Sequence, residues 1–195
     1  MATTNTMSRI QGLYAITDSG LLQGKLLPAV AAALQGGAQI IQYRDKIAIG
    51  LSADANQREQ QRRHDEATAL LALCRQHHIP LLINDDVALA QAIGADGVHL
   101  GQGDGSLFAA RARLGANAII GVTCHDRLDF AKIAARDGAS YVAFGAMFAS
   151  DTKPLAQSCP LSTLTEARAQ LPLPLVAIGG ITPDNAASVI DAGAQ

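Results

Sequence analysis

Seven short apolar runs alternate with seven stretches of helical period along the 195 residues, and this order admits few folds. The runs, read as strands, cover residues 13–17, 39–43, 81–84, 97–100, 119–123, 141–144 and 175–178. The stretches between and after them, 26–35, 56–77, 87–93, 106–114, 129–137, 162–170 and 185–191, carry apolar residues three and four apart, the period of a helix. Strands that alternate with helices pair in parallel, so the expectation is an α/β protein. A punctuation mark recurs between units: Gly37-Ala38, Gly94-Ala95, Gly115-Ala116, Gly138-Ala139 and Gly193-Ala194. Glycine just after a helix is the residue that takes a left-handed cap cheaply. The first four of these marks precede a strand, whereas the fifth precedes Gln195 alone. A closed (β/α)8 TIM barrel needs eight units, so residues 10–195 read as one TIM-barrel domain whose eighth strand–helix unit is absent from the chain. A doubly wound open sheet fits less well, because no GxGxxG follows the first strand.

Composition narrows the class. Half of the chain is hydrophobic (49%) with few aromatics (4%), which suits the small helix–sheet contacts of an α/β core. A net charge of −2 leaves no basic stripe for a nucleic-acid backbone. Three cysteines without CxxC spacing read as free thiols of a cytoplasmic protein. No apolar run reaches the length of a membrane helix, and residues 1–9 read as a disordered lead-in rather than a signal peptide. A homo-oligomer is left open.

Polar clusters follow the apolar runs, at what would be strand C-termini, the face where barrel enzymes bind ligands. Gln42, Arg44 and Lys46 alternate and so share one side of the second strand, with Tyr43 and Asp45 between them. Arginine offers a planar fork to phosphate oxygens and lysine a point charge. Asn84-Asp85-Asp86 and Asp104 bring carboxylates from neighbouring strand ends, a sparse oxygen set of the kind that holds Mg²⁺ together with phosphate and water. Asp86 also reads as a helix cap. Ser150, Asp151, Thr152 and Lys153 follow the sixth strand, where hydroxyls and backbone N–H groups cradle phosphate. Gly179-Gly180 follows the seventh, where barrels often place a phosphate loop. His99 reads as structural and His125 as a loop residue, and no nucleophilic triad is evident.

As a set, Leu13-Tyr-Ala-Ile-Thr-Asp18, Gln42-Tyr-Arg-Asp-Lys46, Ile83-Asn-Asp-Asp86, Gly97-Val-His-Leu-Gly-Gln102 with Asp104, Gly121-Val-Thr123, Thr152-Lys153 and Ala177-Ile-Gly-Gly-Ile181 resemble the thiamine-phosphate synthase family. The resemblance implies a Mg²⁺-dependent barrel transferase that joins hydroxymethylpyrimidine diphosphate to thiazole phosphate and releases pyrophosphate. It implies pyrimidine-diphosphate contacts at Gln42, Arg44, Lys46, Asn84, Thr123 and Lys153, with Tyr43 and Asp45 counted among the substrate-binding residues. Arg44, Lys46 and Lys153 would be catalytic, and Asp85 with Asp104 would bind the metal. Ser150, Thr152 and Gly180 would hold the thiazole phosphate, with Asp151 counted among the substrate-binding residues. Residues 47–55, directly after Lys46, read equally as a loop that closes over the diphosphate or as a slack surface insertion. Two other readings are a thiazole tautomerase on the same barrel and a non-catalytic thiamine-phosphate-binding regulator. The first should not need the full set of Lys46, Asp85 and Asp104.

Overall fold

The structure is a computed structural model, which describes residues 10–46, 50–149 and 157–195. The chain divides into two compact units: residues 11–99 with 113–118, and residue 10 with 100–112 and 119–195.

The first unit runs β1 (Leu13–Ile16), α1 (Ser19–Leu22), α2 (Leu26–Gln35), β2 (Ala38–Tyr43), α3 (Ala53–Gln76), β3 (Leu81–Asn84), α4 (Val87–Ile93) and β4 (Gly97–Leu100), whose last residue opens the second unit. β1 pairs with β2, β2 with β3 and β3 with β4, all in parallel. Registers such as Ile41 opposite Leu81 and Asn84 opposite His99 bring the strand C-termini to one end. Its interior is aliphatic: Ile40, Ile41, Leu70, Leu81, Leu82 and Ile83 are all 0–1% exposed.

The second unit holds most of α5 (Leu107–Leu114), then β5 (Ile119–His125), α6 (Leu128–Arg136), β6 (Tyr141–Phe144), α7 (Leu161–Gln170), β7 (Leu175–Ala177) and α8 (Ala186–Asp191). β5 pairs with β6 and β6 with β7, again in parallel and in chain order. Val142, Phe144, Leu164, Leu175 and Cys159 form the centre of its core. β5 carries an extra residue between Thr123 and His125, a bulge that lets it run two residues beyond the expected end.

All five glycines of the repeated Gly-Ala mark have positive φ, between 68° and 116°, as the cap argument requires. Two expectations shift. Helix α1 was not anticipated, because Ser19-Gly-Leu-Leu22 is too short to show a period; it forms on the cap of Asp18, whose Oδ1 accepts the N–H groups of Gly20 and Leu21. Helix α3 begins at Ala53 rather than at 56, capped by Ser52, whose Oγ accepts the Ala55 N–H. Residues 53–55 of the expected loop are therefore helical, and residues 47–49 lie outside the described residues. Among the described residues no helix is long and apolar enough to cross a membrane.

Candidate active site

The end of β2 sorts its side chains by parity. Gln42 is 2% exposed, and its Nε2 donates to the Tyr14 hydroxyl on β1 at 2.7 Å. Arg44 donates from Nη1 to Asp18 Oδ2 at 2.6 Å, while its backbone N–H is held by Thr17 Oγ1 at 2.9 Å. Asp18 thus divides its carboxylate between capping α1 and fixing the guanidinium. Lys46 Nζ lies 3.5 Å from Asp85 Oδ2 at the end of β3 and stays largely exposed. Gln42 and Arg44 thus bond toward β1 and the residues that follow it, while Lys46 pairs at the end of β3.

Tyr43 and Asp45 turn the other way, toward α3. The Tyr43 hydroxyl donates to Glu66 Oε2 at 2.7 Å, and burial followed by that bond pushes its pKa far above the ordinary value. Asp45 accepts from Arg62 Nη2 at 2.5 Å. Burial alone would raise its carboxyl, but hydrogen bonds from Ser19 and Arg62 and the charges of Arg62 and Arg63 outweigh it and hold the pKa below the usual value. Both residues thus bond to α3, and Asp45 also reaches Ser19 of α1, beside the Asp18 that holds Arg44.

At the end of β3 the backbone makes a sharp turn. Asp85 takes φ 61°, a left-handed conformation that a non-glycine residue adopts only when its surroundings fix it. The Asp85 N–H donates to the His99 carbonyl at 2.8 Å, and the Asp86 N–H to the Asn84 carbonyl at 2.7 Å. Asp85 then faces Lys46, while Asp86 caps α4 by accepting the Leu89 N–H at 2.9 Å, as its position before Val87 suggested. His99 is buried.

The second unit holds Asp104, Thr123 and Gly180. Asp104 Oδ2 accepts the Gly101 N–H at 3.0 Å within an exposed turn. The Thr123 carbonyl accepts from Gln102 Nε2. His125 is the exposed last residue of β5 rather than a loop residue. Gly180 has φ 60°, its carbonyl accepts Asn185 Nδ2 at 3.0 Å, and a side chain there would run into the Phe148 and Ala149 carbonyls. Ser150, Asp151, Thr152 and Lys153 lie outside the described residues. A cavity of about 290 Å³ opens among Gln102, Ser106, Val122, Phe130 and Ile133, of which Gln102 and Val122 belong to the stretches that carry the family resemblance.

Asp85 in the first unit and Asp104 in the second each offer oxygen donors only, the kind that a hard divalent cation takes. Among the described residues no three His, Cys, Asp or Glu side chains gather at one point. The family resemblance covers Tyr14 and Asp18 without giving them a role, yet they hold Gln42 and Arg44. Their signal was present, since Asp18 follows the first apolar run just as the other clusters follow theirs.

Residues 13–195 match the family described as thiamine monophosphate synthase. The chain is 52% identical over 187 residues to the thiamine-phosphate synthase of Chromobacterium violaceum, covering 96% of this chain and 85% of that one. It is 54% identical over 189 residues to the thiamine-phosphate synthase of Nitrosococcus oceani, covering 96% and 82%. Its fold is similar to that of a thiamine phosphate pyrophosphorylase from Pyrococcus furiosus, with TM-score 0.79 and 33% identity, covering 97% of this chain and 83% of that one. At the level of fold alone it is similar to a tryptophan synthase α-subunit from Pyrococcus furiosus, with TM-score 0.63 and 14% identity over 93% of this chain and 84% of that one. The chain belongs to the thiamine monophosphate synthase family.

Proposed function

We propose that this chain is a transferase of thiamine biosynthesis, a thiamine-phosphate synthase that couples hydroxymethylpyrimidine diphosphate to thiazole phosphate. Its strands are read as seven units of a (β/α)8-type barrel. The observation that carries the reading is the parity at the end of β2. Gln42, Arg44 and Lys46 are presented toward Tyr14, Asp18 and Asp85, while Tyr43 and Asp45 serve as struts against α3.

In this reaction the bond between the pyrimidine methylene carbon and the diphosphate oxygen breaks, and the electron pair leaves with pyrophosphate. The thiazole nitrogen then gives its lone pair to the carbon, and the carbon–nitrogen bond forms. The chain needs little acid–base chemistry for this; it needs positive charge where negative charge develops. Arg44, aligned by Asp18, and Lys46, held near Asp85, supply that charge in the first unit, and Lys153 supplies it in the second. Gln42 and Asn84 orient the pyrimidine, and Thr123 adds a contact to it. Ser150, Thr152 and Gly180 hold the thiazole phosphate, and Asp151 counts as a further substrate-binding residue. Asp85 and Asp104 would hold Mg²⁺, which when bound adds further positive charge to the leaving group.

The test is turnover. The purified protein, mixed with both substrates and Mg²⁺, should form thiamine phosphate and pyrophosphate in equal amounts, and excess chelator should stop synthesis without unfolding the protein. Synthesis that persists in chelator would remove the metal assignment, and no thiamine phosphate under any condition would remove the function.

A further inference from the structure

Behind the candidate site a second set of charges links the same two strand ends. Arg63 on α3 is 12% exposed. Its Nη1 donates to Asp86 Oδ2 at 3.0 Å, and its Nε lies 3.9 Å from Asp45 Oδ2. That Nε is buried and lacks a hydrogen-bond partner, so the guanidinium is held by charge on one edge and by a true bond on the other. Asp45, with its side chain 2% exposed, is the chain neighbour of Lys46; Asp86 is the chain neighbour of Asp85.

The geometry turns these neighbours back to back. Just beyond β2, Asp45 lies against Arg62 and Arg63 of α3, whereas Lys46 lies against Asp85. The left-handed turn at Asp85 does the same for the second pair, sending Asp85 toward Lys46 and Asp86 toward Arg63. Arg63 therefore joins the rear members of both pairs, and the front members meet at 3.5 Å. Only a planar cation with donors on separate edges spans two carboxylates in this way; an ammonium offers one point. Arg62 plays a different part, since it spends its other donors on Glu59 and Glu66 of its own helix.

We propose that Arg63, together with Asp86, is a positioning residue: it locks the end of β2 to the end of β3 and so sets the Lys46–Asp85 pair for the diphosphate. This rests on the function proposed above. Groups one layer behind an ion-binding site typically change affinity or rate roughly 10- to 100-fold when removed, and the same range is expected here.

The experiment uses Arg63→Met, Arg63→Lys and Asp86→Asn, the last of which keeps an oxygen for the Leu89 N–H and so preserves the α4 cap. Affinity for inorganic pyrophosphate with Mg²⁺ is measured by calorimetry, beside kcat and both KM values. Asp86→Asn and Arg63→Met should weaken pyrophosphate binding and lower kcat roughly 10- to 100-fold, leaving the KM for thiazole phosphate unchanged. Arg63→Lys should fail to rescue. In a Lys46→Ala background Asp86→Asn should cost little more, because it acts through that lysine. Equal loss on both substrates, additive losses with Lys46→Ala, or full rescue by Arg63→Lys would each overturn the inference and leave a merely structural ion pair. If the wild type turns over and Lys46→Ala impairs it while Asp86→Asn does not, the positioning role alone fails. A wild type that neither turns over nor binds pyrophosphate overturns both readings.

Discussion

Gly121→Ala tests how tightly the site-bearing strand β5 is packed. Gly121 stands opposite Tyr141 in the β5–β6 register, and Tyr141 is fully buried. A Cβ on Gly121 would meet the Tyr141 Cζ, Cε1 and hydroxyl oxygen, all well inside the 3.0 Å that real Cβ atoms respect. The ring lies over the space a side chain would take and cannot step aside into solvent. Overpacking of this kind costs about 1–3 kcal/mol, against roughly 0.5–1 kcal/mol gained by replacing glycine within a strand. An approach this close belongs at the upper end of that range, so the clash wins with a net loss of about 2–2.5 kcal/mol. For a chain of this size each kcal/mol moves Tm by roughly 2–4 °C, so Tm should fall by roughly 4–10 °C. Melting followed by far-ultraviolet circular dichroism gives the value for Gly121→Ala, Tyr141→Leu and the double variant. Removing the ring removes the clash, so the double variant should be more stable than the sum of the singles predicts, by about 0.5–3 kcal/mol. Additive losses, or a Tm that does not fall in Gly121→Ala, would refute the packing argument.

Three other outcomes are expected. Cys74, Cys124 and Cys159 are buried, and burial raises the first to about 11 and the second to about 12, so the native protein should leave a disulfide reagent unreacted near neutral pH and release three thiols in denaturant. Asp45 has a folded pKa below its unfolded value, so its contribution is complete above that unfolded value and lost as pH falls through the folded one. The Tm gap between wild type and Asp45→Asn should therefore be widest at neutral pH and close in acid; a gap independent of pH would show that the Arg62 contact contributes nothing. Lys46→Ala should lower kcat and not merely raise the KM for the diphosphate, whereas Ser150→Ala should act mainly on thiazole-phosphate KM, and the reverse pattern would exchange the two assignments.

The strands were legible because each is a run of aliphatic residues bounded by glycine or a polar cluster, and burial on both faces leaves such runs unbroken. Ile40-Ile41 and Leu81-Leu82-Ile83 are cases in point. Helix α3 reads three residues short in sequence because Ala53-Asp54-Ala55 resembles the loop before it, and its start rests on the Ser52 cap. Gln42, Arg44 and Lys46 could be grouped from parity alone. Their partners could not: Arg44 meets Asp18 and Asp45 meets Arg62 across 26 and 17 residues, and nothing in local spacing chooses one carboxylate among many. The same parity that grouped the cations separates Tyr43 and Asp45 from them, a consequence available in the sequence that the motif match obscured.

Helix α3 is one rod held by two kinds of force. From Ala53 to Glu66 no residue is buried, and the ties to the rest of the first unit run through Arg62, Arg63 and Glu66. From Ala67 onward Leu70, Leu71 and Cys74 anchor it in the apolar core. Screening shortens the reach of charge from about 10 Å at 0.1 M salt to about 3 Å at 1 M, while apolar burial does not weaken. Arg62, a third exposed, feels that screening directly. The two halves thus fray on different schedules: raising the ionic strength should quicken amide exchange in the leading turns and leave the trailing turns slow, a soft tip on a stiff shaft beside the strand end that carries Lys46.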